Sequence, residues 1–203
     1  MVVSLNDVKE LFHKIVIPFH MIQRDITLPL PDHRPDNDAE HSWSLSLLAI
    51  ALAPEIDPKL DTGKIAIFAA LHDIVEVYAG DTSVWADQAF VESKTAREAE
   101  ALARLKTDFP AFPMLFRYID AYEEKATDEA KFVYALDKFI NMLSIVEDEG
   151  YYYRKKYKIT KPQYDKQLQG HREKAHAHPL VGKYYDELRQ LFDSDPEHFY
   201  PES

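Results

Sequence analysis

His41, His72, Asp73 and Asp137 are the residues whose types and spacing could do chemistry. His41 stands beside Glu40 where a helical pattern opens, ahead of an apolar face. His72 and Asp73 are adjacent within a second such pattern, where Ile65, Phe68, Ala69 and Leu71 mark a buried setting. Asp137 has Val133 four residues before it and Ile140 three after, so its carboxylate shares their face and points to the core. A buried carboxylate with no partner is costly. One metal ion would remove that cost for three helices at once. Two imidazoles and two carboxylates suit a divalent ion of borderline softness, such as manganese, iron, cobalt, nickel or zinc. Taken singly, any one of these residues is more often a hydrogen-bonded core group than a ligand, and a lone His-Asp dipeptide is common. The weight lies in the combination: a His opening one helix, a His-Asp pair in the next, and a buried Asp in a later one.

Stepping along the chain, the elements that must position these groups are helical. Ser4 and Asp7 resemble a capping box, and Leu5, Val8, Leu11, Phe12 and Ile15 then repeat at helical spacing until Pro18 kinks or ends the helix. Residues 29–38 hold three prolines and three aspartates and read as a loop. A second helix is predicted over 39–53, ended by Pro54. Thr62 is expected to cap a third, running to about Tyr78 and stopped by Gly80. An exposed helix follows over 88–107, and Pro110 and Pro113 bracket the start of the next. Thr127 or Asp128 caps a long helix to about Glu149. The run YYYRKKYKITK has no clear element, and a last helix covers Val181–Phe192. No stretch alternates well enough to predict a strand. The expectation is an all-α fold, one domain over 1–203, with room for a small C-terminal appendage over 151–203.

Composition narrows the partners. Apolar residues at 46 % allow a real core, and only five glycines disfavour a turn-rich sheet protein. A net charge of −11 makes a poor platform for DNA or RNA, though a local metal can still draw a small phosphorylated ligand. The absence of cysteine excludes disulfides, thiolate metal sites and a cysteine nucleophile. Asp7, Lys9 and Glu10 interrupt the N-terminal stretch before a signal-peptide core can form, and no run approaches the roughly 20 apolar residues of a membrane helix. A soluble, cytoplasmic protein is expected, with no membrane and no nucleic-acid partner; a homodimer is left open.

The pattern resembles the HD-domain metal-dependent phosphohydrolases, whose ligands read H…HD…D on a helical core. The likeness runs from about Ile17 to Glu149. Within that superfamily it is most similar to the branch that removes phosphate from deoxynucleoside 5′-monophosphates, on Arg24, Glu40-His41-Ser42, His72-Asp73-Ile74-Val75-Glu76 with Gly80-Asp81, and Leu136-Asp137-Lys138. The resemblance implies an HD-domain-like helical bundle. It implies one divalent ion on His41, His72, Asp73 and Asp137, and phosphate release from a small monoester by an ion-activated water.

It also implies roles beyond the ligands. Glu76 lies four residues after His72, one helical turn on, and matches the catalytic acid; otherwise it is a solvated helix-end glutamate. Asp81 matches a residue that contacts the sugar or assists the water; otherwise it caps the turn at Thr82 and Ser83. Arg24 matches the arginine that holds the phosphate, a role its fork suits; otherwise it pairs with Asp25. The branch has a tryptophan where this chain has Asp25. A carboxylate there could accept a hydrogen bond from a ribose hydroxyl, so ribonucleotides are expected to react at least as well as deoxyribonucleotides. Two rival functions stand beside this one: a phosphodiester or nucleoside triphosphate hydrolase on the same fold, and a non-catalytic binding module with a structural metal. No histidine lies between His72 and Asp137, where binuclear members carry extra ligands. His171, His176 and His178 sit in a polar stretch without carboxylate support, and Trp43 and Trp85 are expected in the core or on a cleft wall.

Overall fold

Ser4 opens α1 (Leu5–Leu11) with the expected capping box: its hydroxyl accepts from the Asp7 N–H, and the Asp7 carboxylate accepts from the Ser4 N–H at 2.8 Å. In this computed structural model, which describes residues 2–202, the helix continues through a π-helical turn (Phe12–Val16) into α2 (Ile17–Phe19), where Pro18 sits near the end. Strand β1 (Gln23–Thr27) then pairs antiparallel with β2 (Pro35–Asn37), Gln23 opposite Asn37 and Thr27 opposite Pro35, with an irregularity between. The sequence pattern predicts a loop here and does not foresee this small sheet. A three-residue strand begun by proline leaves no alternation to detect. Distant groups hold it: the Thr27 hydroxyl donates to Asp148 at 2.6 Å, and His33 Nδ1 lies 2.6 Å from the other oxygen.

Asn37 caps α3 (Asp38–Ile56), accepting from the Glu40 N–H. The helix runs through Pro54 rather than ending before it. A proline this late removes one backbone donor, and the Asp57 N–H still reaches the Ala53 carbonyl at 2.9 Å. The cap of α4 (Thr62–Leu71) is Asp61, one residue before Thr62, because its carboxylate accepts from the Lys64 N–H. The helix expected to reach Tyr78 breaks after Leu71. Tight bonds from Ile74 N–H to the Leu71 carbonyl and from Glu76 N–H to the Asp73 carbonyl turn the chain into α5 (Glu76–Ala79), which Gly80 stops at φ +74°. The expected 88–107 helix is two, α6 (Gln88–Glu92) and α7 (Lys94–Asp108). Then come α8 (Pro113–Glu123) and α9 (Asp128–Glu147), the latter capped by Thr127. A π-helical segment (Tyr152–Tyr157), α10 (Lys161–Ala175) and α11 (Pro179–Asp193) follow, and a short 3-10 turn (Pro196–His198) comes last. Helix α10 escapes the sequence pattern because it buries only Tyr164, Leu168 and Ala175.

Helix α9 organises the packing. Phe132, Val133, Leu136 and Ile140 meet Leu45 and Ala49 of α3, Ile65 and Phe68 of α4, and Val181 of α11. Its far end places Met142 and Ile145 among Tyr152, Tyr153, Tyr164, Tyr185 and Phe192. A third cluster joins Ile15 and Phe19 to Ile74, Val75, Leu105 and Phe116. Each large apolar side chain fully buried stabilises by about 1.5–3 kcal/mol, so α9 is held from both sides along its length. Trp43 is 67 % exposed, contrary to the expectation of a core or cleft-wall residue. It falls on the side of α3 away from Leu45 and Ala49. Trp85 is half-buried against Tyr153 and Tyr157. Among the described residues no helix is long and apolar enough to cross a membrane.

Candidate metal centre

Three elements deliver four donor side chains to one point. His41 comes from the first turn of α3, His72 and Asp73 from the tight turn between α4 and α5, and Asp137 from the middle of α9. His41 Nε2 lies 3.1 Å from Asp137 Oδ1 and 4.0 Å from Asp73 Oδ2. His72 Nε2 lies 2.9 Å from Asp73 Oδ2 and 3.9 Å from Asp137 Oδ1. Imidazole and carboxylate therefore alternate around a ring. Such separations suit donors sharing one ion at bonds of about 2.0–2.2 Å. The break after Leu71 is what allows adjacent residues His72 and Asp73 both to face the ring.

The orientation of His72 supports the fit. Its Nδ1 lies 3.0 Å from the Ala69 carbonyl, which can only accept, so Nδ1 carries a proton and Nε2 is the nitrogen left to face an ion. That buried Nε2 has no hydrogen-bond partner, although a carboxylate oxygen stands beside it. Burial, helped by Arg24, lowers His41 to about 4, which keeps it neutral and able to ligate. Burial opposes ionisation of Asp137, yet Lys138 at 2.5 Å and His41 hold it well below the usual carboxylate range.

A second layer surrounds the ring. Arg24 does not pair with Asp25. Its Nη1 donates to Asp73 at 3.0 Å and lies 3.6 Å from Asp38; its Nε lies 3.6 Å from Asp36, and Nη2 reaches Asn141 at 3.4 Å. Asp38 is fully buried and neither of its oxygens has a hydrogen-bond partner. Burial pushes Asp36 and Asp38 up to about 7. Glu76 is buried beside the ring, not solvated: one oxygen has no partner and the other lies 3.5 Å from Lys94 Nζ. Burial, then the Asp73 and Asp81 carboxylates, push it up to about 10. Two overlapping groups of mutually close donors emerge, His41 with His72 and Asp73, and Asp38 with Asp73 and Glu76; Asp137 stands outside both and joins the first through His41 and His72. The sequence reading missed Asp36, Asp38, Asn141 and Lys94 as parts of this site. Asn141 had a signal, one helical turn after Asp137; Asp38 was hidden in an acidic run taken for a loop.

The ring opens on a cavity of about 210 Å³. Arg24, Asp73, Glu76, Asp81 and Asp137 line it, as do Lys94, Lys138, His171, Lys174 and the tyrosines 152, 153 and 185. Asp25 lines it too, but its carboxylate is already engaged. Ser83 and Tyr157 donate to it, Tyr152 donates at 3.1 Å, and Lys156 pairs with it at 3.0 Å. This leaves little acceptor capacity for a sugar hydroxyl, and makes Asp25 the tie between β1, the loop after α5 and the π-helical segment. The three C-terminal histidines separate: His171 faces the cavity, His176 lies 3.1 Å from Asp186, and His178 packs edge-on against Phe132.

Comparisons with known proteins place the chain in a family. Residues 20–178 match the family model described as HD domain. The 5′-deoxynucleotidase HDDC2 of Homo sapiens is 29 % identical over 118 residues, 57 % of this chain and 56 % of that protein. Its Mus musculus counterpart is 28 % identical over the same length. The matched stretch thus spans little more than half the length of these relatives. A crystal structure of a predicted metal-dependent phosphohydrolase from Magnetospirillum magnetotacticum MS-1 superposes with a TM-score of 0.76 at 28 % identity, covering 98 % of this chain and all of that one. A conserved hypothetical protein from Pyrococcus furiosus shares the fold at a TM-score of 0.55 and 19 % identity, over 95 % of this chain and 100 % of that one.

Proposed function

This chain belongs to the HD-domain family, and on that premise we propose that it is a metal-dependent phosphohydrolase releasing phosphate from a small monoester, a nucleoside 5′-monophosphate first among the candidates. The observation that carries the reading is the alternating His-Asp ring opening on a cavity that basic side chains also line. The ligands proposed for one divalent ion are His41, His72, Asp73 and Asp137. The nucleotide preference rests on the name of the HDDC2 relatives and on the tyrosine wall, which could pack on a base.

When bound, a divalent ion lowers the pKa of water toward neutrality and polarises a phosphoryl oxygen. The chain's own residues do the rest. Glu76, kept protonated at neutral pH by burial and its carboxylate neighbours, can give its proton to the leaving ester oxygen. Arg24 is held by Asp36, Asp38, Asp73 and Asn141, so its fork is oriented before the phosphate arrives. Lys138 and Lys94, beside Asp137 and Glu76, can offset charge developing on the phosphoryl oxygens. Asp81 lines the same cavity, where it can orient the sugar or the attacking water.

The test is phosphate release from matched ribo- and deoxyribonucleoside monophosphates, triphosphates and a phosphodiester, with manganese, iron, cobalt, nickel and zinc in turn. Ion-dependent release from monoesters is expected. Faster release from diesters or triphosphates would favour the alternative hydrolase, and silence across the panel despite bound ion would favour the non-catalytic module.

A further inference from the structure

The chain carries a net charge of −11, yet Lys94, Lys138, His171 and Lys174 all line one cavity. Three helices supply them. Lys94 is the first residue of α7, Lys138 follows Asp137 on α9, and His171 and Lys174 stand three residues apart, on one face of α10. The four are not equivalent. Lys138 is paired with Asp137 at 2.5 Å, and Lys94 lies 3.5 Å from Glu76 and 3.3 Å from Glu98. These two are tied to the reacting end. Among the described residues, His171 and Lys174 have no ion-pair or side-chain hydrogen-bond partner, although almost every other cavity charge has one.

We propose that His171 and Lys174, backed by Lys138 and Lys94, form a second anion subsite, and that the preferred substrate is a phosphate monoester bearing another anionic group, a phosphate or a carboxylate, on its leaving portion. The inference rests on the phosphohydrolase reading for the first phosphate but not for the binding itself. Its physical basis is charge balance. Gathering Lys94, Lys138 and Lys174 around one cavity costs stability through mutual repulsion, and an arriving anion offsets that cost. Burial, then Lys138 and Lys174, lowers His171 to about 4, so it meets an anion as a neutral hydrogen-bond donor; burial, then Lys138, also lowers Lys174, whose residue stays exposed where it lines the cavity. The opposite side of the cavity is rich in carboxylates, so a ligand with anions at both ends has one favourable orientation only when the ion holds the first phosphate. The α10 wall would then select the leaving group, while the ring acts on the scissile phosphate.

The test compares matched pairs differing by one anion: nucleoside 5′-monophosphates against 3′,5′-bisphosphates, and three-carbon monophosphates with and without a terminal carboxylate. Both kcat/KM and, by calorimetry on the metal-loaded protein, Kd are measured. In at least one pair the doubly anionic member should be preferred by about tenfold or more, the scale of one charge-assisted hydrogen bond. Lys174→Gln should bring that ratio toward one, Lys174→Arg should restore it, and raising the salt concentration should shrink it. Melting curves check that the variants fold. Ratios within twofold for every pair in the wild type, or a preference unmoved by Lys174→Gln combined with His171→Gln, would overturn the subsite. If no ester is cleaved but the Kd ratio behaves as described, the subsite stands and the hydrolase reading falls.

Discussion

The two sides of the cavity are built in opposite ways. The floor is made of His41, His72, Asp73 and Asp137, set on α3, the α4–α5 turn and α9; His41, His72 and Asp137 are buried beside the core that those helices share, and Asp73 is partly open to the cavity. The wall is made of Lys94, His171, Lys174 and the tyrosines, drawn from α7, α10, α11 and the π-helical segment. The floor concentrates acidic and imidazole donors that suit a cation; the wall concentrates basic and aromatic groups that suit an organic anion. The difference teaches that the groups suited to a cation and those suited to an organic anion lie on separate parts of the chain, one before residue 150 and one mostly after it; on the proposed function, chemistry and choice of substrate would divide the same way.

The sharpest way to break this division is to cut the chain after Gly150. If the chain is one domain, the fragment loses Val181 from the core around α9 and every buried aromatic clustered with Met142 and Ile145. It should fail to fold cooperatively, seen as loss of a thermal transition by circular dichroism. A fragment that melts cooperatively and binds metal would show that the floor stands alone. Asp137→Ala should next abolish stoichiometric metal by elemental analysis and lower the melting temperature, because His41 and Lys138 both lose their carboxylate partner. Full metal content in that variant would remove Asp137 from the ligand set. Glu76→Gln should keep the metal and the fold but lose about 10²- to 10⁴-fold in kcat, the usual contribution of a proton donor. Unchanged turnover would leave Glu76 a buried bystander.

Smaller effects sharpen the wall. Asp25→Ala frees Tyr152, Tyr157 and Lys156 at once, so stability should fall by about 1–3 kcal/mol and KM should rise more than kcat falls, with metal content intact. A shift confined to the ratio of ribose to deoxyribose substrates, with stability unchanged, would instead return Asp25 to sugar recognition. Gly80→Ala should cost about 1–3 kcal/mol, several degrees in melting temperature, because φ +74° with ψ 149° is a conformation essentially reserved for glycine even where space is open. An unaltered melting curve would mean that the turn carrying Asp81 relaxes freely.

Helical periodicity determined the long elements, since α3, α4 and α9 each turn a regular apolar face to one core. Spacing and residue type also singled out His41, His72, Asp73 and Asp137, because a polar group on such a face has few uses. The pattern failed where the evidence was not local. Asp38 and Asp36 became site residues only when β1 and β2 paired across seven intervening positions and brought Arg24 against them. The break at His72 depends on hydrogen bonds that periodicity does not report. The packing role of Asp25 was not legible because its partners Tyr152, Lys156 and Tyr157 lie more than a hundred residues away. His171 reads as one residue of a polar stretch, and only the packing of α10 along α9 brings it and Lys174 to the cavity. A sequence states which faces are apolar and which residues can ligate; only long-range packing decides which lone pairs stay free and which charges share one cavity.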